Sequence, residues 1–237
     1  MKNYLTFAGV SSNDFGVWIS GEGTYDRPRR KYEEKAVPGR DGTLLIDTGR
    51  YENQLLSYPA CIMTDMPNRI DAFINALAEN TGYQRLEDTY HPYEYRVAQF
   101  VTETKVKTSG YGNREGQFDL AFNCMPQRFL KSGEKFIQIA TSGDKIINRT
   151  NMKAKPYLRI HGTGAGTVGI GSETITISTI SQYVDIDCDI MDAFKGSVNC
   201  NANVSFTGAV TIPPGEHGIT FTGLITSVEV KPRWYII

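Results

Sequence analysis

The sequence feature that most constrains the fold is a Pro-Gly-Arg-Asp-Gly turn at residues 38–42. Proline fixes one backbone angle, and glycine accepts a positive φ because it has no Cβ atom. Residues 31–37 before the turn and residues 44–46 after it have the composition of extended chain. The pattern therefore predicts a β-hairpin within residues 27–51, with a charged first strand.

The charged first strand of this hairpin can bury little apolar surface against its own domain. An isolated two-stranded hairpin is only marginally stable in water, so a projecting one needs a neighbour. We expect that neighbour to be another copy of the same chain; the alternative is an ordinary surface hairpin with a polar face. The residues expected at the interface between copies are Arg27, Arg29, Arg30, Lys31, Val37, Gly39, Arg40, Asp41, Gly42 and Leu44.

Composition limits the chain to one large or two small folded domains. It has 237 residues, of which 40% are apolar, enough for real cores and too many for a disordered chain. The 23 glycines and 13 tyrosines favour a β-rich protein with many turns. Because the net charge is -1, no bulk electrostatic attraction to nucleic acid is expected.

The cysteines and the apolar segments indicate the compartment. The four cysteines form no C-x-x-C motif, which argues against a zinc knuckle or a thioredoxin-type site. We expect buried free thiols in a reducing compartment. The N-terminal residues lack the apolar core of a signal peptide, and no apolar run approaches the roughly 20 residues of a membrane helix. The sequence thus predicts a protein made in a cytoplasm, without a membrane segment.

Residues 1–130 have the pattern of a mixed β domain with one helix. Short alternating segments predict strands, and residues 110–113 predict a turn. The helix is expected to begin after Asp65, which can cap it, and to end at Gly82. Its apolar residues recur at spacings of three and four, which places them in one stripe: Ile70, Phe73, Ile74, Leu77 and Ala78.

Residues 131–237 have a different pattern. Helical periodicity disappears, and short candidate strands alternate with glycine or proline turns. Regular short strands of this kind predict a β-sandwich. The predicted fold class is therefore mainly β, with a mixed domain that carries one helix and a projecting hairpin, followed by a sandwich domain.

Two segments could be read as ligand sites. Residues 162–166, with the sequence GTGAG, are followed by no helix and by no lysine-serine or lysine-threonine pair, so a glycine hairpin is expected in place of a phosphate loop. Asp185, Asp187 and Asp189 would share one face of a strand and could bind calcium if loop oxygens completed the shell. The EF-hand glycine and distal glutamate are missing, so a solvated strand end is the expected structure.

No catalytic arrangement can be proposed from the order of residues. The three histidines, at 91, 161 and 217, have no local partner motif, and neither G-x-S-x-G nor H-E-x-x-H occurs. We therefore expect no enzyme activity, no cofactor and no metal. Trp234, Tyr235 and the aromatic residues of segment 83–95 could stack on sugar rings, but such side chains are as often part of a core or an interface.

A series of short motifs runs in order along nearly the whole chain. They are Phe7 and Gly9, residues 11–16 and 37–42, Tyr83, and residues 85–88, 95–98, 122–126, 148–156, 184–187, 213–215 and 230–234. In this order and spacing, the sequence resembles the distal tail proteins of long, flexible-tailed bacteriophages, especially those that infect Gram-positive bacteria.

The resemblance implies a structural protein of the virion, a hexameric ring at the tip of the tail tube. Residues 1–130 would form the ring and its channel, and residues 131–237 would form a galectin-like β-sandwich on the outside. The ring would join the tail tube to the tail-associated fibre or lysin protein, and it could anchor receptor-binding proteins. Some members carry an inserted carbohydrate-binding module, for which this chain has no room.

The charged hairpin agrees with this implied assembly. Its arginines and lysine could meet carboxylates of the next subunit, with apolar burial supplying most of the affinity. A ring interface is heterologous, so one face of the subunit must complement a different face. Because DNA would pass the channel without specific binding, the channel lining is expected not to be strongly basic. Direct binding of host sugars is the alternative function.

Overall fold

The computed structural model of the chain describes residues 2–22, 24–101, 103–109 and 114–237. The chain divides into two compact units, Met1–Arg128 together with Ile237, and Phe129–Ile236. The turn predicted at residues 110–113 lies outside the described residues. The predicted fold class is confirmed: the described chain is mainly β, with one α-helix in the first unit.

The first unit is built on one large antiparallel sheet. The strands follow the order β2-β1-β7-β8-β10-β6-β3, and β9 pairs with β10, whose last residues extend into the second unit. The elements are β1 Leu5–Phe7, β2 Val10–Ser11, β3 Val17–Ile19, β4 Arg30–Ala36, β5 Thr43–Tyr51, β6 Gln54–Ile62, α1 Met66–Ala78, β7 Gln84–Asp88, β8 Glu94–Val101, β9 Val106–Ser109 and β10 Glu115–Leu130.

Helix α1 contributes one apolar face to the core of the first unit. Ile70, Phe73 and Leu77 of the predicted stripe are buried, together with Met66. The stripe is narrower than predicted, because Ile74 is half-buried and Ala78 is exposed. Two further details differ from the prediction. Asp65 occupies the N-cap position without a side-chain capping bond, and the helix ends at Ala78, before the predicted glycine.

The second unit contains β-strands and short 3-10 turns. Its large sheet has the order β11-β19-β13-β15-β16-β17, while β12 pairs with β19 and β14 pairs with β13 and β18. The strands are β11 Ile137–Ile139, β12 Lys145–Asn148, β13 Tyr157–Ile170, β14 Glu173–Ile177, β15 Gln182–Asp187, β16 Asp192–Lys195, β17 Val198–Asn199, β18 Val204–Phe206, β19 Gly215–Lys231 and β20 Tyr235–Ile236. The 3-10 segments of the chain include Ser12–Phe15, Lys131–Glu134 and Asn201–Asn203.

The glycine segment at residues 162–166 is not a hairpin, so that prediction is wrong. It lies inside the continuous strand β13, at a register shift against β19. A Cβ atom on Gly162 would lie 2.5 Å from the Leu224 carbonyl oxygen, and one on Gly166 would lie 2.4 Å from that of Thr222. The glycines therefore permit a close approach of two strands, which the local sequence could not distinguish from a turn.

The four cysteines are free thiols: Cys61, Cys124, Cys188 and Cys200. Burial raises the pKa of both Cys124 and Cys188 to about 12. Cys61 and Cys200 are only partly buried. Because the thiolate is the reactive form, the two partly buried cysteines are the accessible thiols of the chain.

Candidate functional site

The predicted hairpin stands apart from both large sheets. Strands β4 and β5 form a two-stranded sheet of their own, from Arg30 opposite Tyr51 to Ala36 opposite Thr43. Within the described part of the chain, neither strand pairs with any other strand. The outer edges of the hairpin therefore keep backbone N–H and C=O groups free for another strand.

The turn forms as the sequence predicts. Gly39 and Gly42 have φ angles of 78° and 80°, in the left-handed region that favours glycine. The backbone N–H of Arg40 donates a hydrogen bond to the Val37 carbonyl at 3.2 Å. The hairpin is thus confirmed as part of the fold, whereas its place at an interface stays a prediction.

Apolar side chains are exposed on both faces of the hairpin. Cross-strand register places Leu44 opposite Lys35 and Ile46 opposite Glu33, so these four side chains share one face, which we call the mixed face. Leu45 lies on the opposite face. The exposed fractions are 41% for Leu44, 55% for Leu45 and 41% for Ile46. The sequence predicted a charged first strand but did not show that the second strand is uncovered on both sides.

Two of the predicted interface cations have contacts within the chain. Arg30 donates a hydrogen bond from Nε to Asp47 of the same hairpin at 2.9 Å, and its guanidinium lies 5.5 Å from the centre of the Tyr51 ring. Arg27 donates to the backbone carbonyl of Ile237. Arg30 therefore joins the two strands of its own hairpin, a contact that the sequence pattern did not predict.

The other predicted interface residues leave their side chains open to solvent. None of the ion pairs in the described chain involves Arg29, Lys31 or Arg40. The exposed members of the predicted set are Arg27, Arg29, Lys31, Val37, Gly39, Arg40, Asp41, Gly42 and Leu44. The set is therefore accessible to a partner.

A buried polar cluster holds the residues that lead into the hairpin. Arg96 is buried, and its Nη2 donates a hydrogen bond to the carbonyl of Thr24 at 3.1 Å. The next residue, Tyr25, packs its ring against His91 with 4.7 Å between ring centres. These contacts fix the chain a few residues before β4 begins, so they position the base of the hairpin against the first unit.

The same cluster continues inward through Asp88. His91 Nδ1 lies 3.0 Å from the Asp88 carboxylate, and the Tyr58 hydroxyl donates to it at 2.8 Å. Burial, and then the charge of Asp88, raise the pKa of Tyr58 well above its ordinary value, so the phenol stays protonated. Tyr58 is 30 residues from Asp88 in the sequence, whereas His91 is only three residues from it. His91 therefore has a local carboxylate partner, which the sequence analysis did not predict.

The residues proposed for sugar stacking are placed differently from the expectation. Trp234 is only 8% exposed and belongs to the core of the second unit, so its ring has no open face for a sugar. Tyr235 is partly buried against Phe129, with 5.9 Å between ring centres. In segment 83–95, Tyr83 and Tyr93 are exposed.

A different surface of the second unit combines aromatic and charged side chains. On β13, Leu158 and Ile160 are buried in the core, while Tyr157, Arg159 and His161 alternate with them and occupy the other side of the sheet. Two aromatic residues from neighbouring segments complete what we call the polar-aromatic face, which consists of Phe136, Tyr157, Arg159, His161 and Tyr183.

Arg159 is held in a fixed orientation on this face. It donates two hydrogen bonds to the Asp185 carboxylate, at 2.7 and 3.0 Å. Its guanidinium lies 6.0 Å from the centre of the Phe136 ring and 5.0 Å from that of Tyr183. A guanidinium held by a bidentate carboxylate loses little freedom on binding a further group.

The three alternating aspartates form separate ion pairs. Asp185 is buried, so the expectation of a solvated strand end is wrong at that position. Burial alone would raise the pKa of Asp187, but hydrogen bonds that it accepts outweigh burial and lower the pKa below its ordinary value. Among the described residues, no group of His, Cys, Asp and Glu side chains is arranged to hold a metal ion. The pairs are Asp185 with Arg159, Asp187 with Arg233, and Asp189 with Lys155.

Comparison with solved structures relates this fold to a phage protein. The chain is similar to the crystal structure of the SPP1 Dit (gp 19.1) protein, described as a paradigm of the hub adsorption apparatus in phages that infect Gram-positive bacteria. The TM-score is 0.77 at 12% sequence identity, and the match covers 100% of both chains. The resemblance predicted from the sequence is thus confirmed at the level of the fold.

The sequence comparisons are negative. No protein-family model matches the chain, and no curated protein matches it. In the described residues, no helix is both long and apolar enough to span a membrane.

Proposed function

We propose that this chain is a structural component of a phage tail tip, and that six copies close into a ring through the hairpin. The observation that carries this proposal is the hairpin of β4 and β5. It pairs with no other strand among the described residues, and it exposes apolar side chains on both faces. The likeness of the whole fold to a phage hub protein supports the same role.

The hairpin has the properties that a ring contact requires. A heterologous contact places one surface of a subunit against a different surface of the next, and rotation closes the ring. Burial of Leu44, Leu45 and Ile46 would supply apolar free energy at about 25 cal/mol per Å². Arg29, Lys31 and Arg40 would pair with carboxylates of the neighbour and fix the orientation of the contact.

The partners of the ring follow from this role. We propose that it joins the tail tube to the tail-associated fibre or lysin protein, that it can anchor receptor-binding proteins, and that DNA passes its channel without specific binding. On this proposal the first unit forms the ring, the second unit is a galectin-like domain on the outside, and the protein is made in the host cytoplasm before it enters the virion.

The ring is tested on the purified full-length protein. Light scattering is expected to give about six times the chain mass of 26.4 kDa, and electron microscopy is expected to show rings with an open centre. The measurement is repeated with the tail-tube and tail-fibre proteins present. A single-chain mass at every concentration, with and without these partners, would contradict the proposal.

A second candidate function, saccharide binding, rests on the polar-aromatic face. Its exposed Phe136 ring, 45% open to solvent, offers a flat apolar surface, and the fixed Arg159 beside it offers directed hydrogen-bond donors. Protein sites for small ligands often combine these two properties. Trp234 has no part in this candidate because it is buried.

Saccharide binding is tested on an array of host cell-wall glycans. If this function is correct, the full-length protein binds, and Phe136→Ala lowers binding at least tenfold. Phe136 is exposed, so its loss does not open a core cavity. The matched control is Ile190→Ala, a change at another exposed apolar residue of the second unit, which should leave binding unchanged. No binding by the unmodified protein would remove this candidate.

A further inference from the structure

A cavity of about 430 Å³ opens on the sheet of the first unit. It crosses the four neighbouring strands β3, β6, β10 and β9. Cys61 alternates with buried Ala60 and Ile62, so its side chain is on the side of the sheet away from the core. We call this cavity the groove; its main lining residues are Trp18, Pro59, Cys61, Lys107, Gln117 and Asp119.

The groove joins an apolar floor to charged side chains of both signs. Trp18, Pro59 and Cys61 supply the apolar surface, whereas Lys107 and Asp119 are exposed. None of the ion pairs in the part of the chain that is described involves either charge. A second lysine of the lining, Lys105, pairs with Glu103 at 3.6 Å, and Lys2 lies over the Trp18 ring at 4.5 Å. Lys107 and Asp119 are therefore the cation and the anion of the groove that are left for a partner, beside its apolar floor.

We propose that the groove receives the mixed face of the hairpin from the next copy of the chain. This inference rests on the ring proposed above and names the receiving surface. Leu44 and Ile46 would cover the apolar floor of the groove. Glu33 would pair with Lys107, and Lys35 would pair with Asp119.

The spacing of the charges supports this occupant. Glu33 and Lys35 lie two residues apart on one strand, which separates them by about 7 Å. Lys107 is opposite Gln117, and Asp119 lies two residues further along β10. One strand spacing combined with two residues of rise gives a separation of about 8 Å. The two pairs of opposite charges therefore match in distance as well as in sign.

The hairpin of the same chain does not fill the groove. Every residue of the mixed face is exposed in the single chain, so a second copy has to supply the contact. The free edges of the hairpin allow it to approach without disturbing an existing sheet. A groove and a hairpin on the same unit are the two different surfaces that a heterologous ring needs.

Charge exchange tests the proposed pairing. Lys107→Glu is expected to lower the fraction of chains in rings at least tenfold at a fixed concentration, because it places two carboxylates together. Adding Glu33→Lys should restore most of the ring fraction. The matched control, Glu34→Lys with Lys107→Glu, changes a residue that is on the opposite face with Leu45 and should not restore it. Equal ring fractions in these two double variants would overturn the pairing.

The native Cys61 permits a second test that does not depend on charge. In a Cys200→Ser background, Ile46→Cys is expected to form a disulfide with Cys61 of the neighbour under mild oxidation, which gives a ladder of covalent oligomers. Cys124 and Cys188 do not compete because burial raises their pKa to about 12. Leu45→Cys, on the opposite face, should give at least tenfold less product.

The outcomes separate the two proposals. If the unmodified protein forms rings but Ile46→Cys gives no more covalent product than Leu45→Cys, the groove is not the receiving surface and the ring proposal stands. If the unmodified protein forms no ring with its partners present, the ring proposal fails, and the inference about the groove fails with it.

Discussion

Replacing Leu45 and Ile46 together with serine is expected to abolish ring formation while the chain stays folded. These residues lie on opposite faces of the hairpin, and both are exposed in the single chain. Full burial of each in an interface would contribute about 1.5–3 kcal/mol. Their combined loss therefore weakens each contact by roughly 10² to 10⁴-fold.

The measurement is the mass distribution by light scattering, with circular dichroism as the test of folding. The matched control replaces Ile190 and Leu224 with serine, since both are exposed apolar residues outside the hairpin. The control should form rings at the level of the unmodified protein. Normal rings from the Leu45→Ser, Ile46→Ser chain would show that the hairpin does not hold the assembly together.

Gly166→Ala is expected to destabilise the second unit by about 3 kcal/mol or more. The added Cβ would lie 2.4 Å from the Thr222 carbonyl oxygen and 2.8 Å from the Ile225 side chain. Overpacking a filled core typically costs about 1–3 kcal/mol, and here a backbone atom of the neighbouring strand has to move. A melting temperature lower by roughly 10 °C is therefore expected for this unit.

Each unit contains one of the two tryptophans, which allows the transitions to be separated. In a Trp18→Phe background, the fluorescence of Trp234 reports the second unit during urea unfolding. The matched control is Gly218→Ala, whose Cβ would have an ordinary contact at 3.5 Å, so a change below about 1 kcal/mol is expected. If Gly166→Ala lowered the free energy of unfolding as little as Gly218→Ala does, β13 and β19 would be able to separate at little cost.

Patterns among neighbouring residues were sufficient to predict the elements that such residues determine. The stripe of Ile70, Phe73 and Leu77 identified the helix, and the two glycines of the 38–42 turn identified the hairpin. The alternation of apolar and polar residues, together with the spacing of the turn residues, was enough to predict a mainly β chain. In each case, the residues that carry the signal lie within a single helix, strand or turn.

The contacts that could not be predicted join distant parts of the chain. Gly166 is constrained by β19, more than fifty residues away, and the burial of Trp234 depends on packing within a whole domain. The contacts of Arg30 with Asp47, of Arg96 with Thr24 and of Tyr58 with Asp88 depend in the same way on the pairing of separate strands. Single-sequence periodicity carries no information about such register.

The uncovered hairpin has a consequence for how the protein must be produced. A lone subunit carries two open strand edges beside Leu44, Leu45 and Ile46, a combination that promotes aggregation. If the ring proposal is correct, chains synthesised faster than they close into rings would therefore precipitate. On the same proposal, expression of the chain alone should yield soluble protein only as rings in which these edges are covered.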